Sequence, residues 1–369
     1  MAMEMINFTR GAPSADILPA EAVREAAARA LESDWQRALS YGTGKGHPAL
    51  AEWIAGQHQV DPAQVMITNG SMDAAALLFR HLVSEGDRVI VEQPTYDRTL
   101  LLLGRAGADF APVALEADGI DIGAVEAACE KQPTPKLAHV IPNFHNPAGC
   151  TLSLEKRRRL VELAAEHGFV LFEDDPYRLV AFEEAAAETM LDLDDAGRVI
   201  HASSFTKTVC PGIRVGYLIG PAEQIATLSK RASENYISPN MLAESIVCEL
   251  CTSGAIEENI VKVNTALAER REALVKALSA KLPEAEFVVP GGGYFLWLTL
   301  GEDVDTAELL PVAKEEGVGF VAGADFMIDG GVNALRLSFA SATAEQIPEG
   351  VERIARALQR VRSAAPAGA

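Results

Sequence analysis

Between residues 65 and 220 the chain alternates short apolar runs with segments of helical period, and this pattern limits its fold more than any other feature. The runs are VMIT, RVIV, LAHVI, FVLFE, RVIHA and VGYLIG. They are too short for buried helices and read as strands covered on both faces. Between them lie SMDAAALLFRHLVSEG and SLEKRRRLVELAAEHG. Each opens on a serine able to cap a helix and closes on a glycine able to stop one. Alternation of this kind predicts an α/β fold, a mostly parallel sheet sandwiched by helices. Ligands in such sheets gather at the C-terminal ends of strands.

After residue 255 the pattern changes. AIEENIVKVNTALAERREALVKALSAKL reads as one long amphipathic helix. FVVP, GGGYFLWLTL and ALRLSFA read as strands, a closing helix starts at about residue 343, and AAPAGA reads as a frayed tail. The expected division is therefore an N-terminal segment, 1–40, joining a smaller α+β domain at 256–369, with a large domain at 41–255. A chain of 369 residues, 49% hydrophobic, has material for two such cores. Its 52 acidic against 32 basic residues give a net charge of −20, which argues against nucleic acid as a partner. The first residues lack the basic and apolar regions of a signal peptide, and no apolar run has membrane-spanning length. Five scattered cysteines suit reduced thiols, so a cytoplasmic location is expected. Cys248 and Cys251 form a lone C-x-x-C in a helical stretch, where packing is the expected role, and no metal site is foreseen.

Chemistry-bearing residues recur where strands end. In TNGSMD, Gly70 allows close backbone approach, and the N–H groups of Ser71 and Met72 at a helix start suit a phosphate; helix capping by Ser71 is the plain alternative. Tyr96 follows RVIV and can stack on a flat ligand or simply pack. PNFHNPAG offers Asn143 and Asn146 in a turn whose Asn-Pro bond can be cis. EDDPY brings Asp174 and Tyr177 beyond a buried strand, where carboxylates need a cationic partner or solvent. SSFTKTVCPGIR packs Ser204, Thr206, Lys207 and Arg214 into one short loop. Hydroxyls, an arginine and a helix N-terminus hold phosphate, and a lysine beside them can reach a carbonyl on the same ligand. A carboxylate opposite can hold a protonated ring nitrogen. Together these parts suit pyridoxal phosphate.

YGTGKG, TNGS, PTY, NFHNPAG, EDDPY, SSFTK with PGIR, and ALRLSF run in this order across nearly the whole chain. In this the sequence resembles the fold-type I pyridoxal-phosphate aminotransferases of class I/II, in the branch of 2-aminoadipate aminotransferases and MocR-type effector domains. The resemblance implies a ping-pong aldimine/ketimine transfer of an amino group from an L-amino acid to a 2-oxo acid. Lys207 would form the internal aldimine and then carry the proton at Cα. Asp174 would pair with the pyridinium. Asn146 and Tyr177 would bond the phenolic oxygen, and Tyr96 would stack on the ring. Gly70, Ser71, Met72, Ser204, Thr206 and Arg214 would cradle the phosphate. Tyr41 would reach the phosphate of a neighbouring subunit, which implies a homodimer. Arg336 would hold the substrate carboxylate, with Asn146 and Gly11 nearby; Arg10 would read the substrate side chain or be plain surface, and Tyr294 and Phe295 are candidates to line the pocket. Met72 departs from the glutamine common in this branch, Ala148 replaces a usual threonine or serine, and HPALAEW lacks a usual arginine. A β-lyase, racemase or decarboxylase using the same cofactor stays open. So does a cofactor-sensing regulator without turnover, which the acidic charge and the start of the pattern near residue 1 disfavour. The side chain of the donor is left unspecified.

Overall fold

The structure is a computed structural model describing residues 4–183 and 187–364. Its centre is an eight-stranded sheet in the order Val65–Thr68, Gly216–Ile219, Val199–Ser204, Val170–Asp174, Leu137–Val140, Arg88–Gln93, Asp109–Glu116 and Gly119–Ile120. Gly216–Ile219 runs antiparallel to both neighbours, and Gly119–Ile120 antiparallel to Asp109–Glu116; the remaining pairings are parallel. The sheet divides its apolar residues by their alternation along each strand. Met66, Val89, Val91, Leu137, Phe172 and Leu218 meet the helices Ser71–Leu82 and Ala222–Tyr236 on one face. Ile90, Ala138, Leu171 and Val199 meet Ile122–Cys129 and Leu154–His167 on the other. Burial on both faces is why these strands read as unbroken apolar runs.

A second core gathers around the antiparallel strands Phe295–Thr299, Ala334–Ser338 and Val321–Ala322, backed by the helices Ala255–Lys281 and Ile347–Ala364. The N-terminal segment enters this core: Ile6–Asn7 pairs with Val318–Gly319, and Phe8 is fully buried. Beyond it the helix Ala20–Ser33 turns to the other core, where Ala26 is buried and Arg29 Nε meets Glu249 at 3.3 Å.

Several elements differ from the sequence expectation. Asp109–Glu116 is a strand that the apolar pattern misses. It is half-exposed, and Pro112, a residue that cannot donate to a ladder, sits opposite Val91 within it. FVVP is not a strand; only Glu286 before it bridges to Thr299. Ser71 does not cap its helix but starts it. Gly70 is the capping residue, at φ +93°, without a side-chain bond. That helix ends at Leu82, ahead of Gly86. Ser153 and Gly168 do bound the helix Leu154–His167. Cys248 and Cys251 are buried on the helix Met241–Thr252 and pack into the core, as expected. In the tail AAPAGA, residues 365–369 lie outside the described residues. Among the described residues no helix is long and apolar enough to cross a membrane.

Candidate active site

The C-terminal ends of the central strands converge on a cavity of about 170 Å³. Ser71, Met72, Tyr96, Asn146, Asp174, Tyr177, Ser204, Thr206, Lys207 and Arg214 line it. Every residue of the expected cofactor set is thus present except Gly70, whose backbone lies just behind, and Tyr41, which stands 84% exposed elsewhere. A second cavity of about 350 Å³ shares Tyr96, Asn146, Tyr177 and Lys207 with the first and adds Gly11, Phe295, Phe326 and Arg336.

One end of the first cavity is built for an anion. The helix Ser71–Leu82 has no capping side chain, so the N–H groups of Ser71 and Met72 lack a partner among the described residues, at the positive end of the helix dipole. Arg214 stands beside them in a left-handed conformation, φ +50°. It donates to Thr206 Oγ1 at 3.1 Å and to the carbonyl of Asn69 at 3.3 Å. Ser204 Oγ donates to Thr206 Oγ1 at 2.8 Å, so the two hydroxyls and the guanidinium form one chain. There is no room for larger residues behind it. A Cβ on Gly70 would lie 2.2 Å from Arg214 Nη2, and one on Gly216 2.6 Å from the Ser71 nitrogen.

At the opposite end Asp174 closes the strand Val170–Asp174 and is 7% exposed. Strand alternation sends its neighbours the other way. Glu173 Oε2 accepts from His201 Nδ1 at 2.9 Å and its Oε1 from the N–H of Met190 at 2.8 Å. Asp175 accepts from Asn143 Nδ2 at 2.7 Å, and Asn143 accepts from the buried Arg157 at 2.6 Å. The three carboxylates therefore split into two that are tied into a polar network behind the sheet and one that faces the cavity. Asp174 Oδ2 lies 3.3 Å from His139 Nε2, while its Oδ1 is buried and has no partner among the described residues. A buried carboxylate oxygen without a donor is costly, so this atom calls for a cationic N–H in the cavity.

Lys207 lies between these ends. Its Nζ donates to the Gly11 carbonyl at 2.9 Å and rests over the rings of Tyr177 and Tyr294, 5.2 and 5.0 Å from their centroids. Burial, with Arg336 and Arg214 adding repulsion, lowers its pKa to about 7, so near neutrality much of the amine is an unprotonated nucleophile. The Tyr177 hydroxyl is held neutral, its pKa raised by burial. Arg336 comes from the strand Ala334–Ser338, where it pairs across to Trp297. It is 7% exposed and lies between Phe295 and Phe326, its Cζ 4.2 and 4.7 Å from their centroids. It donates to Asn146 Oδ1 at 3.0 Å and to the Thr9 carbonyl at 2.7 Å, and its buried Nε has no partner among the described residues. A guanidinium with spare donors facing a cavity suits a carboxylate. Arg10, expected nearby, is exposed, lines neither cavity and contributes only its carbonyl, to Ser338 Oγ at 2.6 Å. The Asn146–Pro147 bond is cis.

His139, Glu92 and His145 escape the sequence reading. A lone histidine inside an apolar run carries no signal of its own, and Glu92 reads as a strand-end surface residue. The residues present fit pyridoxal phosphate at each of its groups. An uncapped helix end and an arginine would suit the phosphate, the buried Asp174 carboxylate a ring N–H, and a lysine whose pKa is lowered to about 7 the aldehyde.

Known proteins agree with this reading. The family model for aminotransferase class I and II matches residues 3–354. The chain is 34% identical to a 2-aminoadipate transaminase of Thermus thermophilus, over 96% of this chain and 90% of that one. It is 31% identical to aromatic-amino-acid aminotransferase 1 of Thermococcus litoralis, over 96% and 88%. The fold superposes with a TM-score of 0.93 on the crystal structure of an alpha-aminoadipate aminotransferase from Thermus thermophilus, complexed with N-(5'-phosphopyridoxyl)-L-leucine; identity is 32%, covering 97% of this chain and 93% of that one. The chain belongs to the aminotransferase class I and II family and is a pyridoxal-phosphate-dependent aminotransferase.

Proposed function

We propose that this chain moves the amino group of an L-amino acid to a 2-oxo acid, with Lys207 as the residue that carries the proton at the substrate Cα. The observation that carries this reading is the convergence of Asp174, Lys207 and an open helix N-terminus on one cavity, with Asp174 Oδ1 buried and without a partner among the described residues. When bound, pyridoxal phosphate supplies the carbon that takes the amine and a ring that draws electrons from Cα. Gly70, Ser71, Met72, Ser204, Thr206 and Arg214 hold the phosphate, and Asp174 keeps the ring nitrogen protonated, with His139 steadying its other oxygen. Tyr96 packs on the ring, while Asn146 and Tyr177 reach its phenolic oxygen. Arg336 takes the substrate carboxylate, leaving Cα–H turned toward Lys207. Gly11 shapes the floor: a Cβ there would lie 2.5 Å from Phe295 Cζ.

The active form is a homodimer in which Tyr41 serves the partner's site. Trp35, Leu39 and Tyr41 are 54%, 64% and 84% exposed, and the last two line one groove with Met241 and Leu242. Apolar surface of this kind suits cover by a second copy. Residues through Ile17 move with the small domain, and the helix Ala20–Ser33 with the large one.

The test is a half-reaction. Holoenzyme mixed with single L-amino acids, without an acceptor, turns from its yellow aldehyde form to the amine form with at least one donor, and a 2-oxo acid restores the yellow. The names of the relatives make 2-aminoadipate and the aromatic amino acids the first donors to try. No conversion with any amino acid would contradict the proposal.

A further inference from the structure

We infer that Glu92 and His145 form a buried positioning pair that sets the Asn146 amide, and through it the Arg336 guanidinium, for the substrate carboxylate. The inference rests on the roles proposed above for Asn146 and Arg336. Both members of the pair are 1% exposed. Glu92 lies in the strand Arg88–Gln93, four residues before Tyr96. Its Oε2 accepts from the Ile141 N–H at 2.8 Å and meets His145 Nε2 at 3.0 Å. His145 Nδ1 in turn accepts from the Ala148 N–H at 3.2 Å. That bond fixes the tautomer: Nδ1 is the acceptor, so Nε2 carries the hydrogen and donates to Glu92.

The pair spans two neighbouring strand ends that each carry a cavity residue. Its bonds enclose the turn 145–149, which also closes through Gly149 N–H to the His145 carbonyl at 2.7 Å. Just ahead of it, Phe144 holds φ +48°, a conformation costly for a phenylalanine and kept only where the surroundings insist on it. Asn146 is the middle of this construction, and its Oδ1 receives Arg336 Nη1 at 3.0 Å. A buried carboxylate with two donors on one oxygen, next to a strained residue, is more than packing requires. Neither side chain lines either cavity; the pair reaches them through the Ile141 N–H, whose residue lines the first cavity, and through the turn that carries Asn146.

A carboxylate held equally in ground and transition states affects KM rather than kcat. The experiment therefore compares His145→Leu, Asn146→Ala and the double variant as holoenzymes, using the best amino donor from the half-reaction panel. His145→Leu is expected to raise donor KM about tenfold with kcat within about threefold; Asn146→Ala is expected to raise KM at least as much and, because Asn146 is also placed on the phenolic oxygen, to lower kcat as well. The double variant is expected to be no worse than Asn146→Ala alone, because both changes disable one device. His145→Gln, which keeps a donor toward Glu92, recovers most of the loss. If His145→Leu does not fold, Glu92→Gln replaces it and is expected to raise KM by about threefold. The inference is overturned if Asn146→Ala raises KM while the pair's variants leave it at the wild-type value, or if the losses multiply in the double variant. If Asn146→Ala itself leaves KM unchanged, the proposed role of Asn146 is what fails, and the inference falls with it.

Discussion

Asp174 and Lys207 are each unfavourable in the empty chain and useful for the same reason. Asp174 Oδ1 is buried without a donor, which costs about 1–3 kcal/mol in the apoprotein. Asp174→Asn is therefore expected to leave apoprotein stability unchanged or raised, while turnover falls by about a hundredfold or more. Thermal unfolding of apoprotein and kcat of holoenzyme, measured on one preparation, check both halves. Lys207 has a folded pKa near 7 against an ordinary 10.5. Between these values the unfolded chain binds more protons than the folded one, so this group's contribution to stability rises with pH across that window. Below pH 7 its full penalty is present. Capture of pyridoxal phosphate by the apoprotein needs the neutral amine. Its rate should climb with pH with a midpoint near 7, and a midpoint near 10 would show that burial does not set this group. These two residues were legible in the sequence only in company, since a lone lysine or aspartate reads as surface. His139 was not legible at all: it sits inside LAHVI, and only the alternation of the folded strand turns it toward Asp174.

At the scale of elements, the anion end depends on two backbones that touch. The strand Gly216–Ile219 runs antiparallel beside Val65–Thr68, bringing Gly216 against the start of the helix Ser71–Leu82. Gly216→Ala places a methyl 2.6 Å from the Ser71 nitrogen, which must push the helix end aside. The expected result is a loss of about 1–3 kcal/mol in stability and at least a tenfold weaker hold on pyridoxal phosphate, read by equilibrium titration of apoprotein. Strands buried on both faces were legible because their apolar runs are continuous. Asp109–Glu116 was not, because half-exposure and Pro112 mask its period. For Ser71 the sequence allows both a helix start and a cap, and the backbone decides for a local reason. A serine before an apolar run is the usual cap, yet here Gly70 takes that position at a φ that leaves the first N–H groups open.

At the scale of the molecule, two cores meet across the cavity. Asp174 ends a strand of the large sheet, Lys207 lies in the turn after the strand Val199–Ser204, Arg336 comes from the small sheet, and the Gly11 carbonyl from the N-terminal segment. This assembly of distant parts is why the order of short motifs along the chain carried more information than any one of them. The exposed apolar side chains between Leu31 and Tyr41 extend the same logic to a second copy. Trp35→Glu combined with Leu39→Glu is expected to yield a monomer by analytical ultracentrifugation and to lose activity in parallel. A fully active monomer would remove Tyr41 from the site. Replacing Lys207 with alanine separates binding of cofactor and donor from the proton transfer assigned to this amine. Soaked with pyridoxal phosphate and a saturating amino donor, Lys207→Ala is expected to bind both yet turn over at least about a thousandfold more slowly than wild type. Turnover at the wild-type rate would contradict the account.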